Sequence, residues 1–375
     1  MLPRLSLQSL ALPLAFVAIG AFFATREPAF LGARNLTQLV VEFSITGTLA
    51  LGMFMILLTG QIDLSVGSGV GLIGGIAAVL VFQKGWPAPA AMGVALAAAL
   101  LLWTLMGALI VTQRIPSFII TLGGLLIFKG LFWLVIQNST IPVSRGDEEN
   151  LYAQLTTYYL PAAAGLGLAA AVLLGLAVST WRARAARTEH GLAVSPSSRA
   201  IVRWIAITAL TLGLVTVFNQ FRGVPLSLLV LAAAAGAVWF VTRHTPFGRA
   251  LYAIGGNEEA AQLSGLPVAR TLVAAYALMG GAVALTGFMT TAYSGASTTT
   301  VGDLMELDAI AACVIGGTAL RGGRGTVGGV LLGALIMTAL LNGMTLLAVA
   351  PEAKFIARGA VLALAVWMDV RLRRR

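Results

Sequence analysis

Twelve runs of mostly apolar residues, most of them close to 20 residues long, follow one another along the chain. They are Leu7–Thr25, Leu36–Thr59, Ser65–Phe82, Ala88–Thr112, Ser117–Ile136, Pro161–Thr180, Ile201–Phe218, Leu226–Val241, Ala269–Tyr293, Leu307–Leu320, Val327–Val349 and Phe355–Val370. An α-helix needs about 20 such residues to cross the hydrocarbon layer of a bilayer. Leu307–Leu320 is the shortest, and a partial or re-entrant helix is expected there. Composition agrees: 58% of the 375 residues are hydrophobic and 10% charged, against about 25% charged in soluble domains. A water-soluble enzyme and a disordered chain are both excluded. The expectation is an all-α polytopic transmembrane bundle of about 10–12 spans, a single domain covering residues 1–375. The stretch Leu10–Phe23 is read as a retained first span rather than a cleaved signal, because a second apolar run follows closely.

The net charge of +10 reads as topology rather than nucleic-acid binding, since the basic residues lie mostly between apolar runs. With twelve spans starting inside, 16 of the 24 Lys and Arg residues fall on the inner side and seven on the outer. The inner set includes an Arg-rich loop at 181–203 and four arginines after Asp369. N-in and C-in is therefore expected. The longest outer segment, Asn138–Leu160, carries Tyr152, Leu155, Tyr158 and Tyr159 at helical spacing, which reads as an interfacial aromatic helix or as a docking surface for something outside. Cys313 is the only cysteine, so neither an internal disulfide nor a cysteine-based metal cluster is expected. His190 and His244 lie far apart, and no metal is expected.

Two Gly-rich turns look related. One contains Asp63, Ser65, Val66, Gly67 and Ser68; the other contains Thr326, Val327, Gly328 and Gly329. Both give Ser/Thr-Val-Gly at the start of an apolar helix, on the inner face of this topology. Ser65 and Thr326 are expected to act as N-caps, and Asp63 sits where a helix N-terminus favours an acid. The match suggests two pseudo-related halves. The glycines from Gly316 to Gly325 lack the Gly-Lys-Ser/Thr of a phosphate-binding loop, so no nucleotide and no other cofactor is expected on this chain.

The polar stretch 242–270 lies inside. Gly255 and Gly256 read as a turn and Asn257 as an N-cap. Glu258 and Glu259 fall in the first helical turn, and Ala260, Ala261, Gln262 and Leu263 continue it. Ser264 and Gly265 end it, and Pro267 blocks its resumption. A helix of two turns is marginal in water and needs a surface. The residues leave open whether that surface is its own bundle or a cytoplasmic partner.

Four strings together resemble the permeases of sugar-importing ABC transporters, in the ribose, xylose and galactoside branch. They are Ile62–Ser68, Ile115–Gly123, Thr245–Arg249 with Tyr252–Ala261, and Glu306–Thr318. Their order and spacing span nearly the whole chain. The Arg222–Pro225 turn, the apolar pair 161–180 and 201–218, and Ala365–Asp369 resemble the xylose-type members. The resemblance implies a multi-pass protein of the bacterial inner membrane that is not itself an enzyme. It implies a second permease copy, a cytoplasmic ABC ATPase that carries the ATP and Mg chemistry, and a periplasmic sugar-binding protein. It also implies that Gly255–Gly265 holds the helix that couples to the ATPase.

A neutral sugar needs hydrogen-bonding groups along its path. Polar residues within apolar spans that meet this need are Ser44, Thr46, Thr121 and Asn342, each of which can instead bond its own backbone. Glu42 and Lys129 are ionisable groups within spans, and a pair between them is one expectation. Such a pair would suit an ion-coupled secondary transporter of a small polar solute, the alternative function.

Overall fold

The computed structural model describes residues 7–146, 149–191 and 197–373. Helices occupy all twelve apolar segments: α1 (Leu7–Arg26), α2 (Ala33–Leu58), α3 (Val66–Phe82), α4 (Ala88–Gln113), α5 (Ser117–Ile136), α7 (Ala162–Glu189), α8 (Ser197–Asn219), α9 (Leu226–His244), α12 (Val268–Ser294), α13 (Met305–Ile315), α14 (Val327–Leu346) and α15 (Pro351–Arg373). Three short helices lie between them: α6 (Leu151–Thr157), α10 (Pro246–Gly256) and α11 (Glu258–Leu263). Among the described residues, eight helices are long and apolar enough to cross a membrane. The fold is an all-α polytopic bundle. Two antiparallel pairs of two-residue strands tie one end together, β1 (Ile141–Pro142) with β4 (Ala296–Ser297) and β2 (Tyr159–Leu160) with β3 (Val224–Pro225). That end is called upper, and the end carrying Leu58, Gly256 and Gly322 lower.

Helix α12 is central, packed against α2, α3 and α4. Lipid is as apolar as leucine, so these helices gain little from hiding apolar surface from each other and depend on close packing. Gly280 of α12 meets the Ala99 carbonyl of α4, where an added Cβ would come within 2.6 Å. Trp103, Phe132 and Tyr276 fill the remaining space and are fully buried.

Two chain segments enter the bundle without helix. After α2 ends, Thr59–Ser65 climbs from the lower end before α3 begins. Asp63 is fully buried, and Trp103, its partner, lies ten residues before the end of α4, roughly 15 Å from that end. This corrects the expectation that the Asp63 turn lies on the inner face. The second segment, Gly295–Leu304, descends from the upper end, and α13 starts at the same depth. Gly302 has φ +86° and Leu304 φ +62°, which turn the chain into the helix. With 11 residues, α13 is roughly 16 Å long, half a bilayer core. The expected partial helix is therefore present, and α3 joins it as a second helix that starts within the bundle.

Two other expectations change. The Arg-rich stretch 181–203 is mostly helical, since α7 continues to Glu189 and α8 begins at Ser197. Helix α6 is not a belt lying in the interface. Tyr152 is fully buried, donates to the Gly74 carbonyl at 2.8 Å and bonds the Thr291 hydroxyl. Leu155 is buried beside it, and only Tyr158 of the aromatic set faces outward at 44% exposure.

Candidate functional site

At the lower end the polar stretch folds into two helices rather than one. Thr245 caps α10 through its side chain, accepting from the Gly248 amide at 3.1 Å, and Pro246 occupies the first turn. Gly255 and Gly256 are its last residues, not a separate turn. Asn257 then breaks the helix. Its side chain accepts from the Ala260 amide at 2.9 Å and starts α11. Glu258 and Glu259 lie in the first turn of α11, Ser264 closes the helix, and Gly265 leaves it at φ +79°. Ala261 is buried on the bundle, whereas Glu258, Glu259, Gln262 and Ser264 are exposed and Leu263 is 83% exposed.

The end of α10, which leads into α11, packs on the bundle backbone to backbone. The Gly323 amide donates to the Leu58 carbonyl at 2.9 Å, joining the turn after α13 to the last residue of α2. Gly255 lies against the same two groups: a Cβ there would come within 1.8 Å of the Leu58 oxygen and 2.5 Å of the Gly323 nitrogen. No side chain fits between them. The Tyr252 hydroxyl donates to the Gly325 carbonyl at 3.0 Å, and partial burial raises its phenol above the usual range, so it stays a donor. Beside α11 opens a cleft of about 720 Å³, lined among others by Gly60, Gln61, Arg114, Ser117, Glu258 and Gln262.

Within the bundle, Asp63 receives three donors. The Ser65 amide and hydroxyl reach Oδ1 at 2.9 and 2.6 Å, and Trp103 Nε1 reaches Oδ2 at 2.7 Å. Ser65 is not a side-chain N-cap: its backbone is already helical, at φ −84° and ψ −10°, and its hydroxyl accepts from no amide of the first turn. Thr326 does cap α14, accepting from the Gly329 amide at 3.1 Å, and is exposed. The two Gly-rich turns therefore do different jobs. Gly67 faces the start of α13: a Cβ on it would come within 2.6 Å of the Gly302 oxygen and 2.0 Å of a Glu306 oxygen. Glu306 sits in the first turn of α13, where the helix dipole favours an acid. Arg358 of α15 pairs with Asp308 at 3.1 Å, and Lys129 of α5 pairs with Asp303 and donates to the Thr299 carbonyl at 2.8 Å.

Lys129 and Glu42 therefore do not pair. Glu42 accepts from the Tyr293 hydroxyl at 2.8 Å and from Asn342 Nδ2 at 3.2 Å. Asn342 in turn accepts from Asn35. Thr121 is buried against the Ile62 carbonyl at 3.3 Å, and Ser44 donates to its own helix at Val40. Thr46 is half-exposed and makes no side-chain hydrogen bond among the described residues.

Residues 35–366 match the family described as the permease component of the branched-chain amino acid transport system. The chain belongs to this permease family. It is 42% identical to the xylose transport system permease protein XylH of Escherichia coli, over all of this chain and 94% of that one. The corresponding protein of Haemophilus influenzae is 38% identical over 98% of this chain and 97% of its own. The ribose import permease protein RbsC of E. coli is 31% identical over 95% of this chain and 92% of its own. No solved structure matches the chain.

Several elements of the permease escape a reading by residue type. Helix α10 carries a start signal of its own, a threonine followed by proline, but its two final glycines resemble a turn. Trp103, Tyr293, Asp303 and Arg358 are partners of candidate residues 40 to 251 positions away. No local pattern marks them.

Proposed function

We propose that the chain is the membrane-spanning subunit of an ATP-driven importer that moves a monosaccharide, xylose or a related pentose or hexose, into the cytoplasm. The observation that carries the proposal is α11. It is a capped two-turn helix with two exposed acids and an exposed leucine, and it follows directly on α10, whose Gly255 packs against the end of α2 and the turn after α13. An element this short cannot hold its shape alone, and the side chains of its polar face have no partner on the bundle among the described residues. A cytoplasmic ATPase that binds and hydrolyses ATP is the partner that fits. Its motion would pass through α10 to the end of α2 and the start of α14.

In this reading the lower end faces the cytoplasm, in line with the 16 to 7 division of basic residues. A sugar-loaded binding protein docks on the upper end in the periplasm. The likeness to xylose and ribose permeases supports the cargo. A second copy of the chain completes the pathway. Asp303 is 49% exposed and Lys129 20% exposed on their side chains at bundle depth, where contact with lipid is costly, so protein or water covers them.

The test is the double substitution Glu258→Arg with Glu259→Arg. The protein is expected to insert normally while ATP-dependent uptake falls at least about tenfold, as removal of a charged docking contact implies. Uptake at the wild-type rate overturns the coupling role of α11.

A further inference from the structure

We infer that one face of the upper half of α2 is a polyol-binding wall, with Glu42 as its central acceptor; the inference rests on the importer reading and adds the residues that meet the solute. Gln38, Glu42 and Thr46 recur every four residues, so they stack on one side of the helix over roughly 12 Å. All three are half-exposed, on the helix that is otherwise the most buried of the long spans. Every residue from Gly47 to Leu58 is buried, so the stripe ends on a closed floor.

The hydroxyls of α2 separate into two kinds. Thr37, Ser44 and Thr48 are buried and donate to carbonyls four residues back at 2.7, 2.7 and 2.8 Å. Thr46, on the stripe, does not, and neither Gln38 nor Thr46 has a side-chain partner among the described residues. Thr46 lies roughly 20 Å along α2 from its upper end, a depth at which lipid cannot satisfy its open hydroxyl. A polar stripe there faces water or a polar solute.

Glu42 is held ready. Tyr293 donates to one carboxylate oxygen and Asn342 to the other. A carboxylate has about four acceptor sites, so each oxygen keeps one for an incoming donor. Tyr293 is 41% exposed and offers its ring edge and face beside these groups. Fixed acceptors, a free hydroxyl, a free amide and an aromatic surface suit the hydroxyl and C–H groups of a neutral sugar. They would hold a small cation poorly, since one carboxylate is the sole anion of the group and its oxygens are already hydrogen-bonded.

The experiment uses the complete complex in proteoliposomes with the xylose-loaded binding protein outside and ATP inside. It reads labelled xylose taken up per ATP hydrolysed. Thr46→Val keeps shape and removes only the unbonded hydroxyl, and Glu42→Gln keeps both hydrogen-bond partners within reach. Uptake per ATP is expected to fall about threefold in Thr46→Val and about tenfold in Glu42→Gln, with stimulated hydrolysis within about twofold of wild type. A wild-type ratio in both variants overturns the inference. So does a Glu42→Gln variant that loses uptake and hydrolysis together while Thr46→Val is unchanged, since that marks Glu42 as a clamp between helices. A wild-type complex whose hydrolysis the binding protein does not stimulate overturns the importer reading itself, before any substitution is made.

Discussion

The lower end and the upper half of α2 belong to one helix and are built on opposite principles. Around Leu58 the contacts are backbone on backbone: Gly255, Gly322 and Gly323 bring three chain segments so close that no side chain fits between them. Around Glu42 the contacts are side chain on side chain, half-open, with hydrogen-bonding capacity to spare. A junction without side chains cannot absorb a displacement by changing rotamers, so it passes motion on. A wall of side chains can adjust to a solute. Under the proposed function, the contrast suits the first region to force transmission and the second to solute contact.

The strongest way to break this contrast is to put a side chain into the junction. Gly255→Val would force apart the Leu58 carbonyl and the Gly323 amide, at a cost of about 1–3 kcal/mol or more. It is expected to abolish uptake and to lower the unfolding temperature of the purified protein, measured by scanning fluorimetry. A variant with normal uptake would show that the junction transmits nothing.

A smaller effect is expected at the buried break before α3, which sides with the rigid region. Trp103→Phe removes one of three donors to the buried Asp63 carboxylate, for about 1–3 kcal/mol. Stability should fall while xylose uptake per ATP hydrolysed stays constant, which the same proteoliposomes measure. A change in that ratio would move the Asp63 turn from scaffold to pathway.

The smallest effect sharpens the contrast from the other side. Ser44 lies two residues from Glu42 and Thr46 but bonds its own helix on a buried face. Ser44→Ala should change stability by no more than about 0.5 kcal/mol and leave uptake untouched. A transport defect in this variant would mean that the polar stripe is not confined to one face.

These positions also show what the chain discloses before it is folded. Helix α11 is legible because its whole definition is local: an asparagine cap, two acids, then glycine and proline within 11 residues. The twelve apolar segments are legible because each is a length and a composition. Depth is not local. Asp63 reads as a surface turn until Trp103, 40 residues on, is placed against it. Lys129 and Glu42 look like each other's partners until Asp303 and Tyr293 claim them. Ser44 and Thr46 are alike as residue types, and only the packing of α2 shows that one is closed and the other open.

The central claim is that this chain moves a sugar only when an ATPase drives it from the lower end. The direct measurement is uptake of labelled xylose into proteoliposomes that contain this chain, a cassette ATPase and a xylose-binding protein, each also left out in turn. The account predicts accumulation only when all three are present with ATP inside. Accumulation by this chain alone under an ion gradient would contradict it.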